Sequence, residues 1–263
     1  MKKLLKKTLR RFGLDLVPYP PEATPASPPP APEPDSASLQ DLSPAELQIV
    51  AAVRPFTMTS PERIAALLNA TTYLSKNKIP GDIAECGVWR GGSMMTVALT
   101  LLALGDTNRS LYLYDTYEGM SAPTEADNSY DGVSAQAQLE REAKGTGIWC
   151  HATIEDVRAN LLSTGYPADR IHLVKGKVEE TIPQTIPGPL ALLRLDTDWY
   201  ESTRHELIHL FPLLDRRGIL IIDDYGHWQG AKKAVDEYFA ENNSAIYLHR
   251  IDYTGRIAVG TGA

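Results

Sequence analysis

Cysteine is scarce in this chain: Cys86 and Cys150 are the two among 263 residues. Two thiols cannot build a disulfide framework or a four-cysteine zinc site, and their scarcity fits a reducing compartment. No stretch approaches about 18 uninterrupted apolar residues, which excludes a spanning helix. The apolar core of a secretory signal is missing as well, so cleavage and export are not expected. No Gly-x-Gly-x-x-Gly fingerprint is present, and no Tyr-x-x-x-Lys pair. The first absence argues against dinucleotide binding, and both argue against an NAD-dependent sugar epimerase.

Basic charge is short everywhere except at the start. Residues 1–12 carry Lys2, Lys3, Lys6, Lys7, Arg10 and Arg11 without an acid, so the chain's net −7 leaves −13 for the remainder. An acidic body argues against nucleic acid as a partner, because phosphate binding needs a basic face. Leu4, Leu5, Thr8, Leu9 and Phe12 share one helical face of this arm, opposite most of the basic residues. Such a helix can lie weakly on an anionic membrane surface, pack on a partner, or remain a solvated tail. The expected location is cytoplasmic, with the inner membrane surface as a peripheral site. Residues 18–34 contain nine prolines. They read as an extended linker. The expected division is an arm over 1–16, a linker over 17–42 and a folded domain over 43–263, opened by Ser43 as cap and Pro44 in the first turn.

From residue 43 strand and helix alternate. Apolar runs at 82–86, 110–114, 170–174, 190–195 and 218–222 predict five strands, and 245–251 with 256–260 predict a closing hairpin. Helices are expected over 61–77, 92–104, 134–143, 153–163, 201–214 and 229–241. Alternation of this kind gives an α/β fold, a mostly parallel sheet covered on both faces, with ligands at the carboxyl ends of its strands. Glu85, Asp115, Asp196, Asp223 and Asp224 all fall at predicted strand ends.

The first strand leads into Glu85-Cys86-Gly87-Val88-Trp89-Arg90-Gly91-Gly92-Ser93. Glycines there let a ligand approach the backbone, and the following helix N-terminus attracts negative charge. Glu85 would repel a pyrophosphate but suits an ammonium. S-adenosylmethionine (SAM) carries an amine and a sulfonium, and Asp115 is placed to accept its ribose hydroxyls. Leu195-Asp196-Thr197-Asp198-Trp199-Tyr200 and Ile222-Asp223-Asp224-Tyr225 end the fourth and fifth strands. Neighbouring strands lie about 4.8 Å apart. Two carboxylates 4 Å apart repel by about 4 kcal/mol at an effective dielectric near 20. Protonation, an arginine or a cation must relieve that, and all-oxygen ligands favour Mg²⁺ first. Asp223 and Asp224 would point to opposite faces within a strand, so both reach one ion only if the chain turns there. His227 follows the pair and is a candidate pocket residue. His205 and His209, one helical turn apart, read as an exposed or half-buried helix pair.

Five segments together resemble the macrocin O-methyltransferase (TylF-like) family: 58–63 (MTSPER), 81–93 (GDIAECGVWRGGS), 115–120 (DTYEGM), 196–203 (DTDWYEST) and 223–225 (DDY). They occur in the family's order, and the likeness covers roughly 45–260. The resemblance implies a Rossmann-like class I methyltransferase with a seven-stranded sheet whose last hairpin is antiparallel. It implies SAM- and Mg²⁺-dependent O-methylation of a sugar hydroxyl on a glycosylated natural product or glycan. Matched by motif, Thr57, Met58, Ser60, Glu85, Gly87, Arg90, Gly91, Gly92, Ser93, Asp115 and Thr116 would surround SAM. Asp196, Asp223 and Asp224 would hold the metal, with Asp198 as general base. Trp199, Tyr200, Tyr225 and His227 would meet an acceptor with vicinal hydroxyls. The loop over 117–132, with Glu118, Glu125, Asp127 and Asp131, would cover that acceptor as a lid. A non-catalytic nucleoside-binding protein of the same fold is the remaining alternative, and a homo-oligomer is left open.

Overall fold

The computed structural model describes residues 39–142 and 147–260. The expected arm and most of the linker lie outside the described residues. Leu39 and Leu42 are already buried in the core, so the folded body begins before Ser43.

Helix α1 (Pro44–Val53) starts with a complete capping box: the Ser43 hydroxyl accepts the Glu46 N–H, and the Glu46 side chain accepts the Ser43 N–H. This satisfies two donors that a helix start leaves unpaired. Helix α2 (Pro61–Lys76) opens on Ser60, whose hydroxyl accepts the Arg63 N–H, with Pro61 behind it. Then follow β1 (Asp82–Cys86), α3 (Gly92–Leu104), β2 (Leu111–Asp115), α4 (Ala135–Arg141), α5 (Ile154–Ser163), β3 (Ile171–Lys175) and α6 (Val178–Thr181). Strand β4 (Leu190–Leu195), α7 (Tyr200–His209), β5 (Leu214–Ile222), α8 (Gln229–Glu241), β6 (His249–Arg250) and β7 (Arg256–Val259) complete the order.

The sheet order is β3-β2-β1-β4-β5-β7-β6. Strands β1 to β5 run parallel, and β7 pairs antiparallel with β5 and with β6. Chain order reverses between β1 and β4, which opens a crevice at their carboxyl ends. Two elements differ from the sequence expectation. Helix α7 stops at His209 rather than 214, because Pro212 has no N–H to donate and its ring collides with the preceding turn; β5 begins at Leu214 instead. The penultimate strand shrinks to two residues, since Ile246 and Leu248 pack on the core instead of pairing.

Apolar side chains fill both faces. Ile83, Leu111, Leu192 and Ile221 pack under α1, α2, α3 and α5, while Ala84, Leu193, Leu195, Leu220 and Ile222 pack against α7 and α8. Each fully buried Leu or Ile contributes about 1.5–3 kcal/mol. Strand alternation then decides where the strand-end acids go. Glu85, Arg194 and Asp223 continue the first face, toward α2, and Asp224 continues the second.

Candidate active site

A cleft of about 1100 Å³ lies at the carboxyl ends of the strands. Phe56, Thr57, Met58, Thr59 and Arg63 line one side, and Gly87, Val88, Trp89 and Ser93 line the base. Asp115, Thr116, Gly119, Met120 and Ser121 follow from β2, and Asp196, Thr197, Asp198, Asp223 and Asp224 from β4 and β5. Gly176–Glu179 after β3 and Cys150 also line it and were missed from the sequence. The end of β3 was findable by the rule used for the other strands; Cys150 carried no signal.

Gly87 is what brings the glycine turn against the end of β4. Its φ is +80°, and a Cβ there would lie 1.9 Å from the Asp196 carbonyl oxygen. Asp115 fastens the same turn: its carboxylate accepts the N–H of Val88 at 2.7 Å, of Trp89 at 3.2 Å and of Tyr117 at 2.7 Å. A carboxylate offers about four acceptor positions. Three are thus spent on the fold, and the ribose role expected of Asp115 has less left than the sequence implied. Burial raises its pKa, and these N–H groups oppose the rise.

The strand-end acids separate into two groups. Asp196, Asp198 and Asp224 each offer an oxygen within 4.8 Å of the others, all half-buried or buried. Asp198 stands in left-handed backbone, φ +67°, and its N–H donates to the Asp224 carboxylate at 3.3 Å. Burial pushes Asp198 up to about 7, and the neighbouring Asp196 and Asp223 carboxylates push the same way. Burial likewise lifts Asp196 and Asp224 well above the usual carboxylate range.

Asp223 departs from its expected place among the metal ligands. One oxygen takes Nη2 of Arg194 at 2.6 Å, and the other takes Arg63 from α2. Arg194 is buried on β4 and reaches Glu85 at 2.7 Å, Asp196 at 2.6 Å and the Thr59 hydroxyl at 3.2 Å. Arg63 also pairs with Asp252 at 3.0 Å. Two arginines therefore relieve part of the crowding, and the Asp196, Asp198 and Asp224 group is left to a cation or to protons. The lone charge inside the apolar run Leu190–Leu195 was the signal for Arg194; Arg63 closes the 58–63 segment of the family resemblance, which gave it no role.

Other expected contacts also sit elsewhere. Glu85 is fully buried beneath the cleft against Arg194, not on its wall, and its Oε2 has no hydrogen-bond partner. Burial raises Glu85 to about 7 despite Arg194. Arg90 turns to Asp156 and the Pro55 carbonyl. Gly91 caps α3 and Gly92 packs on the Phe56 carbonyl. Ser60 caps α2 and donates to Asp252. Trp199 is buried edge-to-face on Trp228, ring centroids 5.0 Å apart. Tyr200 and Tyr225 donate their hydroxyls to Glu237 and Asp236 on α8.

The loop expected as a lid is tied to the starts of α7 and α8. Asp127 is fully buried and accepts the Tyr200 N–H at the start of α7, at 2.8 Å. The Asn128 carbonyl accepts the Gln229 N–H at 2.8 Å, and the Ser121 carbonyl accepts Trp199 Nε1 at 3.1 Å. Glu118 pairs with Lys175 instead of facing the cleft, and Asp131 accepts the Ser129 hydroxyl. His205 and His209 do pair, ring centroids 4.3 Å apart. They belong to His205-Glu206-Leu207-Ile208-His209, the His-Glu-x-x-His spacing of zinc peptidases, which the sequence reading wrongly took to be absent when it set zinc aside. Glu206 is fully buried and accepts the Thr197 hydroxyl at 2.9 Å, so it serves the β4 turn rather than a surface ion.

A parallel sheet reversing at β1 and β4, closed by an antiparallel pair and holding a glycine turn and acids at its strand ends, is the architecture of a class I methyltransferase. The chain belongs to the macrocin-O-methyltransferase (TylF) family, whose profile matches residues 50–258. It is 34% identical over 199 residues to 8-demethyl-8-(2,3-dimethoxy-alpha-L-rhamnosyl)-tetracenomycin-C 4'-O-methyltransferase of Streptomyces olivaceus, covering 76% of this chain and 73% of that one. It is 31% identical, over 76% and 73% of the two chains, to demethyldecarbamoylnovobiocin O-methyltransferase of Streptomyces niveus. Among solved structures it matches the O-methyltransferase NovP with a TM-score of 0.67 and 30% identity, over 78% of this chain and 82% of that chain. The protein is a methyltransferase. No helix among the described residues is long and apolar enough to cross a membrane.

Proposed function

We propose that this enzyme is a SAM-dependent, divalent-metal-assisted O-methyltransferase that acts on a hydroxyl of a sugar or glycosylated natural product. The observation that carries the reading is the meeting of Asp196, Asp198 and Asp224 in the wall of the same cleft as the glycine turn. The set fits a hard cation beside a base: Asp196 and Asp224 offer carboxylate oxygens to an ion and Asp198 stands within reach of both, all three raised by burial and mutual repulsion. The relatives named above act on glycosylated antibiotics, which supports the acceptor class. Thr57, Met58, Gly87, Ser93, Asp115 and Thr116 line the part of the cleft that would hold SAM.

When bound, SAM supplies the methyl group and Mg²⁺ supplies Lewis acidity at the acceptor oxygen. Asp196 and Asp224 would hold the cation. Asp198 accepts the acceptor's proton at its carboxylate, helped by a pKa brought near neutrality. The wall formed by 116–134 excludes bulk water and fixes the acceptor's approach. Residues 1–12 add a weak contact with an anionic membrane surface, and the site of action is cytoplasmic.

Calorimetry with SAM and with NAD, each with and without Mg²⁺, tests the cofactor: SAM binds and NAD does not. Methyl transfer to a glycosylated acceptor stops in EDTA and returns with Mg²⁺, while SAM binding persists. Asp198→Asn keeps SAM and metal binding but loses turnover. Full transfer in EDTA by protein shown to be metal-free would refute the metal-assisted reading.

A further inference from the structure

Three aromatic rings from three separate segments meet just past the Asp223–Asp224 turn, outside the residues that line the cleft, and two of them, Tyr130 and Tyr253, have no part in the reading above. His227 follows the Asp223–Asp224 turn, its N–H on the Asp224 carbonyl at 3.0 Å. Tyr130 comes from the wall loop, where Ser129 bridges to Trp228. Tyr253 comes from the β6–β7 turn, where the Thr254 carbonyl accepts the Gly226 N–H at 2.9 Å and the Thr254 hydroxyl donates to the Asp223 carbonyl at 2.6 Å. The Tyr130 and Tyr253 rings lie 5.7 and 6.0 Å from the His227 ring, and the Tyr253 hydroxyl is 3.2 Å from His227 Nδ1.

The two tyrosines remain 67% and 59% exposed. Their segments are tied to the strand-end turn by backbone bonds, so the rings are presented rather than loosely displayed. Ring faces with polar tips match a ligand that has an apolar face and a polar edge. A pyranose has that form: axial C–H bonds on one face and hydroxyls around its rim. Arg63, Arg194 and the proposed cation offset the nearby acids, so the neighbourhood offers little net charge to an ionised sugar and suits a neutral one. We propose that Tyr130, His227 and Tyr253 form a platform for the C–H face of a neutral pyranose, setting its hydroxyls toward the carboxylate cluster. The proposal rests on the reading of this cleft as a sugar O-methylation site.

The test is saturation-transfer NMR on the full chain with SAM and Mg²⁺, using methyl α-D-mannopyranoside and methyl β-D-glucopyranoside as probes. Ring C–H protons of at least one probe take up saturation from the wild-type protein. Tyr253→Ala and Tyr130→Ala weaken its binding by about tenfold, the factor for losing roughly half an aromatic ring's contact. Tyr253→Phe retains most of the affinity, and SAM affinity is unchanged throughout. Failure of both probes to bind wild-type protein, or equal binding by the alanine variants, overturns the platform. The same samples are assayed for S-adenosylhomocysteine. Probe binding that depends on Tyr253 without any methyl transfer upholds the platform and counts against the methylation reading; transfer indifferent to both tyrosines does the reverse.

Discussion

Replacing Arg194 by Met keeps much of the side chain's length and removes the cation that three acids share. Its guanidinium is 3% exposed and lies 2.6–2.7 Å from Glu85, Asp196 and Asp223. Asp223 would keep Arg63, and Asp196 is 27% exposed and can draw on water. Glu85, 1% exposed, would have no countercharge from Arg194 and already carries an unpaired Oε2. Removing one partner of a buried pair costs about 3–5 kcal/mol, a large share of the roughly 5–15 kcal/mol that holds a domain together. The loss depends on pH. Burial raises folded Glu85 to about 7 from an ordinary 4.5 even with Arg194 present, and without it the value rises further. Above pH 7 the variant's folded state therefore holds a proton that the wild type has released. A raised carboxylate loses stability as pH rises, so the Glu85 share of the variant's deficit is near zero at pH 6 and grows by about 1.4 kcal/mol at most toward pH 8. It comes on top of the loss at Asp196, Asp223 and Thr59 that both pH values share. Urea denaturation of both proteins at the two pH values reads this directly. Adding Glu85→Gln to the variant recovers part of the loss at pH 8. A deficit below about 1 kcal/mol at pH 8 would refute the account of Arg194 as the shared cation.

Two further outcomes follow from single contacts. Gly230→Ala places a Cβ 2.1 Å from the Asp127 carboxylate, which must move off the Tyr200 N–H; a loss of about 1–3 kcal/mol is expected by thermal or urea unfolding. Asp115→Asn keeps the shape but removes the charge from an acceptor of three N–H bonds, and weakens both the fold and SAM affinity by about 1.5–3 kcal/mol, read by unfolding and calorimetry.

The fold was legible because each parallel strand is a short apolar run, four of the five stopping at or beside an acid, and a run of that kind has one natural place in a doubly covered sheet. Asp196 and Asp224 could be placed on the cleft for the same reason. Which acid of the Asp223–Asp224 pair faced the cation site was not legible. The pleat sends the two opposite ways, and the deciding partner, Arg63, lies 160 positions earlier on α2. The ties of the wall loop were not legible on similar grounds. The resemblance implied a cover over 117–132, and the structure adds that Asp127 is spent on the first N–H of α7 and its neighbour Asn128 on the first N–H of α8. Such bonds depend on where two distant helices begin, and no local pattern announces them.

The stapling of that loop bears on how members of this family diverge. A wall held by the opening residues of α7 and α8 is inherited with them. Exchanging 116–134 between relatives with different acceptors should succeed as a cassette that carries Trp199–Tyr200 and Trp228–Gly230 along. A loop transplanted alone would arrive without Gly230's vacancy for its aspartate. On the proposed reading, acceptor preference depends on three chain segments tied by these bonds, and the mutational route between preferences is correspondingly narrow.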